Sequence, residues 1–139
     1  MYRFMDRPVL SLTPGEQILL WSMRSWVAAM AAQRCPCTAL SPSFERWKLG
    51  DLLPDFNMMM LLLNREGASP RVFCRENCAH VRDDEAAILA LLHAAAGRDN
   101  KVLNRLAELA VKSEAVPAFL IATVEAADVL RRLPVQRTL

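Results

Sequence analysis

The sequence predicts an all-α fold, a compact bundle of about five to six helices in a single domain over residues 1–139. Three observations lead there. Ala, Leu and Met abound while only 6% of residues are aromatic, so helix formers outweigh strand formers. The chain is 53% hydrophobic and 23% charged, which excludes disorder as the general state. At 139 residues it can bury roughly 65–70% of its unfolded surface in one core.

Residues 1–12 form a leader in which Tyr2, Phe4, Val9 and Leu10 can lie across the domain or meet a neighbouring chain. Thr13-Pro14-Gly15-Glu16 then carries a helix-start signal: a Thr N-cap, Pro at the first helical position and Glu three residues after the cap. The spacing predicts a helix from 14 to about 33, with Leu19, Met23, Trp26 and Met30 as one stripe and Ile18, Ser22, Ser25 and Ala29 beside it. It ends before Cys35-Pro36-Cys37, because a residue preceding proline resists the helical region.

Ser41-Pro42 reads as the start of a short helix bearing Phe44, Trp47 and Leu49, closed by Gly50. Asp51 is expected to cap a helix over about 52–66, with Phe56, Met59, Met60 and Leu63 inside. Its run at 58–63 is apolar all round, so this helix is expected to be central. Residues 71–81 are the one stretch that reads as a short β-hairpin, turning at Arg75-Glu76-Asn77.

Asp83, Asp84 and Glu85 open a helix through Ile88, Leu91, Leu92 and Ala95 to Gly97, three acids suited to a helix N-terminus. Another helix starts at Asp99 or Asn100 with Leu103, Leu106 and Ala110 on one side. Ser113 is expected to cap the last, about 114–133, with Leu120, Val124 and Ala127 inward and Pro134 as its stop. An echo links Leu12-Thr13-Pro14-Gly15-Glu16 to Val81-Arg82-Asp83-Asp84-Glu85, as either a duplicated helical hairpin or two independent well-capped helices would produce.

Several chemistries are disfavoured. All four glycines sit in a helix first turn or at helix ends, leaving no glycine-rich loop for a phosphate. His80 and His93 form neither a His-Glu-x-x-His nor a Glu-x-x-His motif. The net charge is +2, with no clustered basic face, and the stretch 106–121 that has helix-turn-helix length presents Ala, Phe, Leu and Ile to a would-be groove. No nucleic acid is expected as partner. Arg24 and two serines interrupt the longest apolar window, so no membrane span is expected, and no signal peptide is visible. A cytoplasmic protein with reduced thiols follows as the expectation.

The cysteines make the one specific chemical case. Cys35, Cys37, Cys74 and Cys78, with His80 nearby, offer a donor set that suits tetrahedral zinc. The Cys-x-Cys spacing departs from the usual two to four intervening residues, and ordinary thiols or a Cys74–Cys78 disulfide account for the same residues. Met58-Met59-Met60 reads as core packing, since neighbouring helical positions diverge by about 100°. Trp21 and Trp26 lie roughly 140° apart on their helix, so both cannot face one stripe, and one of them is a candidate interface anchor. The functional expectation is a non-enzymatic helical protein–protein interaction or regulatory module, self-associating as a homodimer. The alternative is a zinc-stabilised or thiol-redox-responsive regulator built on the cysteines.

Overall fold

The computed structural model describes residues 4–67 and 78–132, which form a helical bundle with no named strand among them. Its helices are α1 (Pro14–Ala31), α2 (Pro36–Arg46), α3 (Leu53–Glu66), α4 (Asp83–Ala96), α5 (Asn100–Ala110) and α6 (Val116–Arg132). Short 3₁₀ turns precede α1, α3 and α6 at Val9–Ser11, Gly50–Leu52 and Ser113–Ala115. No described helix is long and apolar enough to cross a membrane.

The capping box at Thr13 forms as the sequence predicts: Glu16 N–H donates to Thr13 Oγ1 at 3.2 Å, and Thr13 N–H to Glu16 Oε1 at 2.9 Å. The second helix differs from expectation. It starts at Pro36 rather than Pro42, and carries Pro42 inside it. Leu40 and Phe44, one helical turn apart, are both fully buried, and that apolar pair outweighs the hydrogen bond Pro42 cannot donate. Asp51 caps nothing; it lies in the 3₁₀ turn ahead of α3, which has no side-chain cap.

Centrality also shifts. In α3, Met58 is 47% exposed, whereas α4 buries nine of its fourteen residues and packs against α1, α5 and α6. Its Ala-rich sequence lets neighbouring helices approach from several directions, which the bulkier Met and Leu of α3 do not. In α6 the inner face includes Phe119, Ala122, Thr123 and Ala126 along with the expected Ala127, while Val124 faces out at 40% exposure. Thr123 is tolerated inside because its hydroxyl donates to Phe119 O at 2.8 Å.

The expected hairpin lies largely outside the described residues, but its last residues take another partner. Val9 N–H donates to Ala79 O at 2.8 Å, Val81 N–H to Arg7 O at 2.9 Å, and Asp6 N–H to Val81 O at 3.1 Å. The leader therefore runs antiparallel to 79–81, fixed by Phe4, which is 1% exposed and meets the His93 ring edge to face.

The echo in the sequence extends to a repeat of the whole element order. Each half runs helix, 11-residue helix, three-residue 3₁₀ turn, helix, with Pro54 and Pro117 at matching second positions of the third helix. Phe56, Met59, Met60 and Leu63 of α3 correspond to Phe119, Ala122, Thr123 and Ala126 of α6, and all eight are buried. Equivalent helices meet one another, α1 against α4 and α3 against α6.

Three helices end on a non-glycine residue in the left-handed region, although Gly50 and Gly97 stand nearby. Gln33, Lys48 and Arg98 have φ of 57°, 60° and 58°. After α2, Leu49 N–H donates to Phe44 O at 2.7 Å and Lys48 N–H to Glu45 O at 3.0 Å, a Schellman closure repeated at Arg34 and Asp99. Gly97 itself stays right-handed at φ −82°. The strain is removable: Lys48→Gly and Arg98→Gly should each stabilise the fold by about 0.5–1 kcal/mol, read as a higher urea midpoint at unchanged slope.

Candidate functional site

The bundle's two halves are joined by a buried ion pair. Arg24 and Glu85 are 3% and 0% exposed. Arg24 Nε donates to Glu85 Oε2 at 2.8 Å and Nη2 to Glu85 Oε1 at 3.0 Å, a two-pronged contact between α1 and α4. The guanidinium goes further: Nη1 donates to the Cys78 carbonyl at 2.9 Å and Nη2 to the His80 carbonyl at 3.0 Å. Glu85 Oε1 also accepts Arg82 N–H at 2.8 Å at the start of α4. Sequence reading missed this pair. Arg24 counted only as an obstacle to membrane insertion, and Glu85 only as one of three acids at a helix start. The available signal was an Arg in the middle of an otherwise apolar helix, since a buried guanidinium requires a carboxylate and carbonyl acceptors.

The repeat gives this pair a counterpart. Arg24 is the eleventh residue of α1 and His93 the eleventh of α4; Glu16 and Glu85 are each the third of theirs. Glu16 and His93 line an open cleft of about 450 Å³ together with Leu19, Leu89, Leu92 and Arg131. Where one seam between the halves is closed by a guanidinium, its equivalent is a leucine-walled cleft.

The two tryptophans separate as the helical wheel requires. Trp26 is 2% exposed in the core, its Nε1–H donating to Asn57 Oδ1 at 2.8 Å. Trp21 stays half-buried and meets Trp47 edge to face, ring centres 5.3 Å apart and planes at 84°. With Pro14, Gln17 and Ile18 these rings line a surface cleft of about 300 Å³. Leu10, 89% exposed, projects from the 3₁₀ turn four residues before Pro14.

Of the candidate metal ligands, Cys35 and Cys37 are free thiols at the start of α2, Cys35 just before it and exposed, Cys37 in its first turn and partly covered. Cys78 is engaged in a disulfide. His80 is exposed, with its backbone held by Arg24 and paired with Pro8. Cys74 lies outside the described residues. Among the described residues no three His, Cys, Asp or Glu side chains converge as a metal site would require. The two free thiols differ in character. The Thr38 hydroxyl and N–H hold Cys35 below the ordinary thiol pKa, without meeting the geometry of a helix cap. Burial, and then the neighbouring Cys35 charge, push Cys37 up.

Removing either member of the ion pair should be costly in a specific way. Arg24→Leu leaves a carboxylate buried without its cation and two carbonyls without donors, which should destabilise by about 3–5 kcal/mol in chemical denaturation. Adding Glu85→Leu removes the stranded charge but not the stranded carbonyls of Cys78 and His80, so only part of that loss should return. Compared with known proteins, the chain matches no family model, no curated protein and no solved structure.

Proposed function

We propose that the protein is a non-enzymatic helical interaction module that self-associates through the face carrying the Trp21–Trp47 cleft. The observation that carries this reading is a knob and a hole on adjoining sequence. Leu10 stands out of the surface, and the aromatic cleft opens beside the helix that Leu10 leads into. A twofold dimer joins one surface patch to itself, so a patch holding both features can use each twice. Trp is the residue type most often found as an energetic anchor in such a contact, and Trp21 retains the accessibility that Trp26 has lost to the core. The cleft's walls are mainly hydrocarbon and indole, with Gln17 as the polar group at its edge, which suits an aliphatic side chain better than a charged substrate.

The rival expectation, a zinc-stabilised or thiol-responsive regulator using Cys35, Cys37, Cys74 and Cys78, has a separate observation in its favour on the thiol side alone: two unequal free thiols at the start of one helix.

Sedimentation equilibrium tests self-association. The expected result is a reversible dimer whose dissociation constant rises at least about tenfold on Trp21→Ala and on Leu10→Glu. Leu10 is exposed in the monomer, so its replacement leaves folding intact and isolates the interface. A monomer throughout the micromolar-to-millimolar range, about −8 to −4 kcal/mol of association, would rule the reading out.

A further inference from the structure

We propose that Cys35 and Cys37 form a thiol–disulfide exchange couple, with Cys35 attacking a low-molecular-weight disulfide and Cys37 resolving the product. Three features of the fold support this, and none involves self-association. The first is placement. Cys35 is the residue immediately before α2 and is exposed, while Cys37 stands two residues on, half covered by the bundle. An attacking thiol needs access, and a resolving thiol needs only to reach the attacking sulfur.

The second feature is the repeat. Cys35 occupies the position that Asp99 holds before α5, and Thr38 the position of Val102. Asp99 Oδ1 accepts Val102 N–H at 3.3 Å, so the equivalent helix start already holds an anionic side chain. In the first half the same backbone donor faces a thiol, and the Thr38 hydroxyl adds a second donor that Val102 lacks. The two sulfurs differ accordingly: the Thr38 donors favour the charged form of Cys35, while burial, and then the Cys35 charge, disfavour that of Cys37.

The third is spacing. Pro36 between them is helical, which sets the two Cα atoms about 5.4 Å apart, within the roughly 4.4–6.8 Å a disulfide spans; Cys35 itself is extended at ψ 118°, so the pair is not held to the opposed directions of helical i and i+2 side chains. The helical start at Pro36 creates this approach; an extended Cys-x-Cys would hold the two Cα atoms roughly 6.5 Å apart, near the limit.

The reaction balances without any further reagent. The Cys35 thiolate attacks one sulfur of the disulfide RSSR, forming a Cys35–SR bond and expelling RS⁻. Cys37 then loses its proton to solvent and attacks the Cys35 sulfur, closing a Cys35–Cys37 disulfide and expelling a second RS⁻. Two electrons pass from the protein dithiol to the small disulfide, which is reduced to two thiols.

Oxidised glutathione is the probe, with intact-mass and peptide-level readout on the full chain. Wild type should lose two hydrogens as a Cys35–Cys37 link, with no lasting adduct. Cys37→Ser should stop at one glutathione on Cys35, and Cys35→Ser should react at least about tenfold more slowly than wild type. Serine is itself a preferred N-cap, so Cys35→Ser keeps the helix start; helicity by circular dichroism verifies this. Wild type accumulating the same stable adduct as Cys37→Ser, or Cys35→Ser reacting as fast as wild type, would overturn the proposal. The readout is covalent mass, so its outcome is independent of whether the protein dimerises.

Discussion

The constraint on which most of the structure depends is the need to satisfy a guanidinium placed inside an apolar helix. Arg24 carries a planar fork of N–H donors, and once α1 is covered these must find acceptors in the interior. Glu85 supplies two oxygens, and the carbonyls of Cys78 and His80 supply the others. Those demands fix the start of α4 against the middle of α1 and hold residues 78–80 over the pair. The leader then pairs with 79–81, so Phe4 reaches the core by way of a segment that the ion pair positions. One charged side chain thus organises three pieces of chain distant in sequence. A buried ion pair is not by itself a large source of stability. Its effect here is to make any other docking of α4 on α1 leave a charge uncompensated.

Around that seam the fold repeats itself. Two units of three helices share element order, the position of a proline in the third helix, and four buried positions on it. The equivalence breaks where side chains differ in size. α6 carries Ala122 and Ala126 where α3 carries Met59 and Leu63, and α6 packs closely on α4, a contact whose counterpart between α1 and α3 is weaker. Small residues let that helix approach the centre, which is why α4 rather than the methionine-rich α3 ends up enclosed.

Much of this was legible in the sequence, for identifiable reasons. The all-α class, the Thr13 capping box, the buried stripe Phe56-Met59-Met60-Leu63 and the acidic first turn of α4 each rest on local rules that the tertiary structure had no cause to overturn. The start of α2 was not legible, because Ser41-Pro42 is a stronger local signal than Cys35-Pro36 and only the burial of Leu40 with Phe44 decides between them. The left-handed residues at Lys48 and Arg98 were hidden behind nearby glycines, which a local rule selects first. Of the candidate site, the separation of Trp21 from Trp26 followed from a helical wheel, and the distinctness of the cysteines was visible. What no local pattern reveals is a pairing such as Arg24 with Glu85, sixty-one residues apart. The difference between Cys35 and Cys37 depends likewise on where α2 begins.

The two equivalent seams between the halves also differ in what holds them, and so in what weakens them. One is a desolvated charge pair shielded from solvent, which added salt screens far less than it would a surface pair. The other brings Glu16 and His93 to a cleft walled by leucines, where cohesion comes from hydrocarbon removed from water and weakens on cooling. One joint thus has a polar character and the other an apolar character. Ionic strength leaves the first nearly untouched, and low temperature acts chiefly on the second, so the two seams respond unequally to the same change of solvent.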